Sequence, residues 1–267
     1  MWKDYGLKSY VQAPALPLVS SGQTIKVKLP YNAQVNPWFR VEATAGQVIK
    51  IQTDNYKGGG ENNVRAEYVT REGTQAFECP GWMNGHEVWY EMPAGVRVLE
   101  LQYRETGFDT DMNGTFECDN DFLNRLRAKA VRTLYLTMRD TYMDCPDRER
   151  ALWWGDAVLE IGEAFYALDR RSDLLSRKCI DNLISWQRPN GTLFSPVPTG
   201  NWDRDLPLQM LASIGYKGFW TYGLYSGDLS TLRNVYPGVK RYMETWGMRA
   251  NGLVEPRKLS LIHISEP

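Results

Sequence analysis

The hydrophobic period changes once along this chain, between Asp111 and Asp119, and that change limits what the chain can fold into. Before it, the stretches TIKVKL (24–29), FRVEAT (39–44) and QVIKIQT (47–53), with 64–70 and 96–103, alternate apolar and polar residues between Gly, Pro and Asn turns. A period of two puts every second side chain on one face, as in antiparallel strands with one buried side. Residues 1–115 are therefore predicted to form a β-sandwich. After the change the period lengthens. Phe122, Leu126, Ala130 and Leu134 mark a helix with Asp119 as its cap, and Ala157, Ile161, Ala164, Phe165 and Leu168 mark a second. Leu175, Cys179, Leu183 and Trp186 give a third, 206–225 a Gly-interrupted fourth, and 229–246 a fifth that Pro237 breaks or kinks. Residues 116–257 read as all-helical. The final ten, KLSLIHISEP (258–267), follow neither pattern and read as an appended, non-native tail.

Composition excludes several function classes. A length of 267 residues suffices for two domains and a sizeable core. Acids and bases are interspersed and sum to a net charge of −1, so no field favours nucleic acid or an anionic membrane. No apolar run approaches the roughly 20 residues needed to span a bilayer. The N-terminal MWKDYGLKSY has no apolar signal core, which predicts either a cytoplasmic protein or one whose true N-terminus, with any export signal, is missing. The two histidines, His86 and His263, lie far from the acidic residues discussed below, which argues against a histidine triad or a His-rich metal site. Cys79, Cys118, Cys145 and Cys179 form no CxxC pair, so neither zinc nor a dense disulfide framework is expected. Gly58-Gly59-Gly60 lacks the Lys-Ser/Thr of a phosphate loop. The run DTDMNG (109–114) opens like a calcium loop but has Asn120 where the bidentate glutamate belongs, and reads as a turn at the junction. No cofactor is called for.

The chemistry concentrates in DCPDRERALWWGD (144–156), where Asp144, Asp147, Glu149 and Asp156 stand among two arginines and two tryptophans. Cleaving a glycosidic bond needs one carboxylic acid to protonate the leaving oxygen and further carboxylates to hold hydroxyls or stabilise an oxocarbenium-like transition state. Indole rings supply an apolar floor for sugar C–H faces. An arbitrary acidic cluster at a helix start would only cap it and complement its dipole; the full thirteen-residue string is far more specific. Trp153, Trp154, Trp186, Trp202 and Trp220 cluster in the same half, which suits a carbohydrate cleft, although any one tryptophan is as often core.

This string resembles DCPQRERLGWTGD, the signature of bacterial α-L-rhamnosidases of glycoside hydrolase family 78. The resemblance implies Glu149 as general acid of an inverting mechanism and Asp144 and Asp156 as sugar ligands. Arg148 and Arg150, cations within the same string, are placed to orient those carboxylates. Ala151, Leu152 and Trp154 depart from the family pattern, which bears on the sugar accepted more than on the chemistry. The remaining sugar-contact candidates are Arg148, Trp153, Trp154 and, in a Pro- and Gly-rich loop, Trp202, Asp203 and Asp205. Asp156, Glu160 and Glu163 share one helix face, either toward a cleft or simply solvated.

The resemblance further implies a β-sandwich leading into an (α/α)6 barrel acting on rhamnose-containing glycosides. The segments 114–126 and 223–246 resemble the family's approach to the catalytic domain and the hairpin after the site. A full barrel needs twelve helices and about five are counted here, so the barrel is expected to be incomplete and the chain a truncated gene product. Inversion also requires a second carboxylate roughly 6.5–9.5 Å from the acid. No residue here matches its motif, so no general base is assigned. Two alternatives stay open: another six-hairpin glycosidase with a different sugar specificity, since Leu152 and Trp154 alter the signature, and a non-catalytic carbohydrate-binding or structural fragment. Aglycone, linkage and oligomeric state are not legible.

Overall fold

The computed structural model describes residues 2–55, 65–199, 205–255 and 257, with side chains from Gly6 onward. The triglycine at 58–60, Trp202, Asp203 and the tail 258–267 lie outside the described residues. Two compact units interleave along the chain. One contains Met1–Asp109, Arg125–Arg139 and Cys145–Arg150; the other contains Thr110–Asn124, Asp140–Asp144 and Ala151–Pro267.

The first unit is built on an antiparallel sheet of eight strands: β1 (Trp2–Ser9), β2 (Leu18–Val19), β3 (Thr24–Ala43), β4 (Val48–Thr53), β5 (Ala66–Val69), β6 (Gly73–Glu78), β7 (Met83–Glu91) and β8 (Arg97–Phe108). Two of the expected strands, 24–29 and 39–44, are the two ends of β3. Its first half pairs with β7, Ile25 facing Tyr90 and Val27 facing Val88; its second half pairs with β6 and β8, Phe39 facing Phe77 and Leu101. The register slips between Lys28 and Ala33, where β3 carries more residues than β7. Such a bulge bends a strand, yet β3 keeps β7 as its partner through Val35 and takes up β6 only from Trp38. Alternation then works as expected. Ile25, Val27, Phe39, Val41, Ile49, Ile51, Val88, Tyr90, Val96 and Val98 all point into one core. Each fully buried aliphatic side chain there contributes roughly 1.5–3 kcal/mol.

Helix α1 (Asp121–Leu136) begins at Asn120, whose Oδ1 accepts the N–H of Phe122 (2.9 Å) and Leu123 (3.3 Å). The cap is thus Asn120, one residue after the expected Asp119, because only its side chain reaches the second and third helical N–H groups. The expected apolar stripe is buried only toward its end: Leu134 is 3% exposed, Phe122 62%. The later turns of α1 latch to the sheet. Tyr135 Oη donates to Phe108 O (3.0 Å), and Gln34 Nε2 donates to Leu136 O (2.8 Å). Arg132 joins Lys8 and Tyr31 around the buried Glu105 carboxylate. Gly107 permits this approach, since a Cβ there would lie 2.5 Å from Tyr135 Oη.

The second unit is helical, with α2 (Trp154–Ala167), α3 (Ser172–Ser185), α4 (Pro207–Ala212), a π-helical segment (Ser213–Trp220), α5 (Thr221–Ser226) and α6 (Leu229–Met243). Ala157, Ile161 and Ala164 of α2 and Leu175, Cys179 and Leu183 of α3 are buried as their spacing requires. The interrupted fourth helix is α4 to α5, and its break falls at Gly215, whose φ of −93° and ψ of −112° are not helical. Pro237 does not end α6. It and Arg233, whose carbonyl loses its i+4 donor, are both exposed, so water can meet the freed oxygen. Counting α4 to α5 as one interrupted rod, the described residues hold five helical rods.

The junction is pinned within this unit by Asp169, between α2 and α3. Its carboxylate accepts Thr110 Oγ1 (2.9 Å), the backbone N–H of Asp111 and Arg171, and the Arg171 side chain, while Arg171 also pairs with Asp111 (2.6 Å). Thr110 and Asp111 are thereby tied down in irregular backbone that follows a bend at Asp109. No helix among the described residues is long and apolar enough to cross a membrane.

Candidate active site

The two units share the acidic string, and each shapes its own part. In the second unit Asp144 and Ala151 close the loop between them: Asp144 N–H donates to Ala151 O, and Ala151 N–H donates to Asp144 Oδ1, both at 3.1 Å. One oxygen of the expected sugar ligand therefore also holds the loop. Ala151 acts through its backbone, so its departure from the family pattern is neutral to this clasp. Leu152, 1% exposed, bridges to Val197. Trp153 is half-buried at the start of α2, and Asp156 is exposed in its first turn, where a negative charge complements the helix dipole.

Trp154 differs from its expected place. It is fully buried, its indole N–H donates to Ser213 O (3.3 Å), its backbone N–H donates to Ser195 Oγ (3.1 Å), and its ring packs on Phe219 at 5.4 Å. The structure sets this ring in the helical core rather than against a sugar, because an indole whose N–H has a partner is the largest apolar group available there. Gly155 follows, where any Cβ would collide with the Gln209 side chain. Asp205 is engaged by arginines, accepting Arg257 Nη2 at 2.7 Å with Arg188 at 3.8 Å. Of the helix-face acids, Glu160 is half-buried and Glu163 exposed.

Within the first unit lies Cys145–Arg150. Glu149 is half-buried, its N–H donates to Cys145 Sγ (3.3 Å), and its carboxylate pairs with the guanidinium of the exposed Arg148. Arg150 has φ +52°, alone in the left-handed region among the described non-glycine residues. That conformation costs roughly 1–2 kcal/mol for an L-residue. Three contacts offset it: Nε donates to Pro146 O (2.9 Å), Nη2 donates to Trp82 O (3.1 Å), and the guanidinium lies 3.5 Å from the Trp82 ring centroid. Burial lowers the Arg150 pKa to about 10, against the pull of Asp147, leaving it charged at neutral pH. Burial raises the Asp147 carboxyl above its ordinary range, opposed by Arg150 and by a hydrogen bond from Asn84 and reinforced by Asp54.

Trp82 and Asn84 were not singled out from the sequence. They sit in GWMNG, a stretch whose glycines and asparagine look like a turn. The signal was there in Gly85, which leaves room for Asp54: its carboxylate accepts the N–H of His86 and Glu87, and a Cβ at 85 would meet it at 2.5 Å.

An antiparallel β-domain thus precedes the helical rods, and an acid-rich loop opens the second of them. The family model for the bacterial alpha-L-rhamnosidase 6 hairpin glycosidase domain matches residues 111–261, more than half of the chain, and the chain belongs to that family. A curated relative from Formosa agariphila, named Alpha-L-rhamnosidase, is 25% identical over 210 residues, covering 68% of this chain and 20% of the relative. This chain thus spans about a fifth of that relative's length. Two solved structures share the fold. The family 78 rhamnosidase of Bacillus sp. GL1 superposes with a TM-score of 0.71 at 21% identity, over 83% of this chain and 24% of that one. The rhamnosidase from Klebsiella oxytoca with rhamnose bound gives 0.73 at 16% identity, over 89% and 51%.

Proposed function

We propose that this chain carries the proton-donating part of an inverting α-L-rhamnosidase that removes terminal α-L-rhamnose from glycosides or polysaccharides. The reading rests on one observation: the family match, over residues 111–261, spans the whole acidic string; the roles of Glu149, Asp144 and Asp156 are carried over from the likeness of that string to the family signature. Glu149 protonates the leaving oxygen, Asp144 and Asp156 hold ring hydroxyls, Arg148 anchors the Glu149 carboxylate between turnovers, and Trp153 offers the apolar floor. Trp202 and Asp203 stay in the proposal as further sugar contacts. Asp205 enters it only through its arginine pairs. In the same reading 1–115 is a two-layer β-sandwich, 116–257 the first part of an (α/α)6 barrel and 258–267 an appended tail, with the water-activating carboxylate outside the assigned residues. Leu152 and Trp154, the departures that bear on the sugar accepted, are both buried, so they give no ground for a different sugar.

The test is hydrolysis of 4-nitrophenyl α-L-rhamnoside by this chain beside a version extended to twelve barrel helices, with proton NMR following the anomer released. β-Rhamnose appearing first supports inversion; α-rhamnose first overturns it. Glu149→Gln should cost on the order of a hundredfold or more, and a loss below about tenfold removes Glu149 from the role.

A further inference from the structure

We propose that Trp82, in the β-domain, is a positioning residue for Glu149, acting through Arg150. The inference rests on the reading of Glu149 as the acid. Both ends of the segment 146–150 are tied to one short stretch, Trp82–Asn84, at the start of β7. Arg150 is held by the Trp82 carbonyl (3.1 Å) and ring (3.5 Å), with Arg139 also over that ring at 4.7 Å. At the other end the Asn84 amide, turned so that its nitrogen donates, reaches Pro146 O (3.2 Å) and the Asp147 carboxylate, while its oxygen accepts from Asn55 (2.7 Å). Residues 82–84 and 145–150 lie in one compact unit.

Glu149 sits between those anchors, next to the residue with φ +52°. A left-handed arginine persists only where its surroundings over-determine it, and here the surroundings are Pro146 O, the Trp82 carbonyl and the Trp82 ring, of which the ring is the one side-chain group. Without the ring, Arg150 relaxes toward an ordinary φ, the 149–150 peptide turns, and the Glu149 side chain swings with it. Proton transfer requires hydrogen-bond reach, and a displacement of about 1 Å can cost on the order of a hundredfold.

The variants are Trp82→Ala, Trp82→Phe and, as reference, Glu149→Gln, made in the version extended to twelve barrel helices and assayed on 2,4-dinitrophenyl α-L-rhamnoside, which needs little proton donation, and on a phenyl rhamnoside, which needs it. We expect Trp82→Ala to lower kcat on the phenyl substrate by about tenfold or more and on the dinitrophenyl substrate by less than about threefold, with KM little changed. Trp82→Phe keeps an aromatic face and restores most of the loss. If Glu149→Gln slows both substrates equally, the acid assignment itself fails. If Glu149→Gln discriminates between them and Trp82→Ala does not, the positioning role is overturned. Hydrogen exchange on this chain decides the clamp without turnover: Trp82→Ala should speed exchange of the Glu149 amide and leave β3 amides unchanged, and an unchanged Glu149 amide overturns the proposal.

Discussion

Asp144 and Ala151 hold each other through two hydrogen bonds of 3.1 Å, one from each backbone N–H, and so close the loop that carries Glu149. The Asp144 carboxylate thereby has a structural task alongside the sugar contact proposed for it. The two separate by substitution. Asp144→Asn keeps an acceptor for the Ala151 N–H, and its melting temperature should stay close to that of the parent. Asp144→Ala removes the acceptor and should cost about 1 kcal/mol, a fall in Tm of roughly 2–4 °C by differential scanning calorimetry.

Asp169 makes the junction sensitive to acid. Burial pushes its carboxyl up, but the hydrogen bonds from the Arg171 side chain, Thr110 and the backbone of Arg171 and Asp111 outweigh that and hold it at about 2, against 3.8 for a free aspartate. A depressed folded pKa contributes stability that is present above pH 3.8 and lost as pH falls toward 2. With the side chain 18% exposed, the contribution is about 1–2 kcal/mol. Urea unfolding of Asp169→Asn and the parent should therefore differ by about that much at pH 6 and converge near pH 2. A gap that stays constant would mean that the carboxylate's charge is not what stabilises the junction.

Trp154 tests core against cleft. Trp154→Phe leaves Ser213 O without its donor and a cavity beside Phe219, and should destabilise the helical unit by roughly 1–3 kcal/mol; Trp154→Ala should cost about 3–5 kcal/mol. Equilibrium denaturation reads both. A Phe variant of unchanged stability but altered KM for rhamnosides would return the ring to the cleft.

The helical unit leaves large apolar groups in solvent: Leu159 and Tyr166 on α2, Trp220 at the end of the π-helical segment and Leu224 on α5 are each more than half exposed. Clustered exposed apolar surface drives association. Sedimentation velocity on this chain should show self-association at micromolar concentration, and Leu159→Lys with Leu224→Lys should reduce it without lowering Tm. A monomeric parent would count against this.

Asp228 caps α6. Its Oδ1 accepts the N–H of Thr231 (3.1 Å), and its other oxygen accepts Tyr222 Oη (2.8 Å). Asp228→Ala should cost about 1–2 kcal/mol in urea, with Asp228→Ser recovering part of it.

What the sequence by itself determined was local. The period of two and the period of 3.6 placed strands and helices, since which face a side chain occupies depends only on its near neighbours, and Gly215 interrupts the fourth helix where a glycine makes a break cheap. Thirteen contiguous residues pointed to the family for the same reason. Tertiary structure decided everything that depends on partners distant along the chain. Alternation in β3 gave no sign that the strand continues through 29–38 and exchanges β7 for β6 along one edge, because pairing is chosen by strands far along the chain, as Val35 with Glu105 shows. Trp153 and Trp154 are adjacent tryptophans in the sequence, yet one is half-exposed and the other sealed by Ser213 and Phe219 from a later rod. The clamp on Glu149 joins Arg150 to Trp82, 68 residues earlier, and a contact of that kind leaves no periodic trace in the sequence.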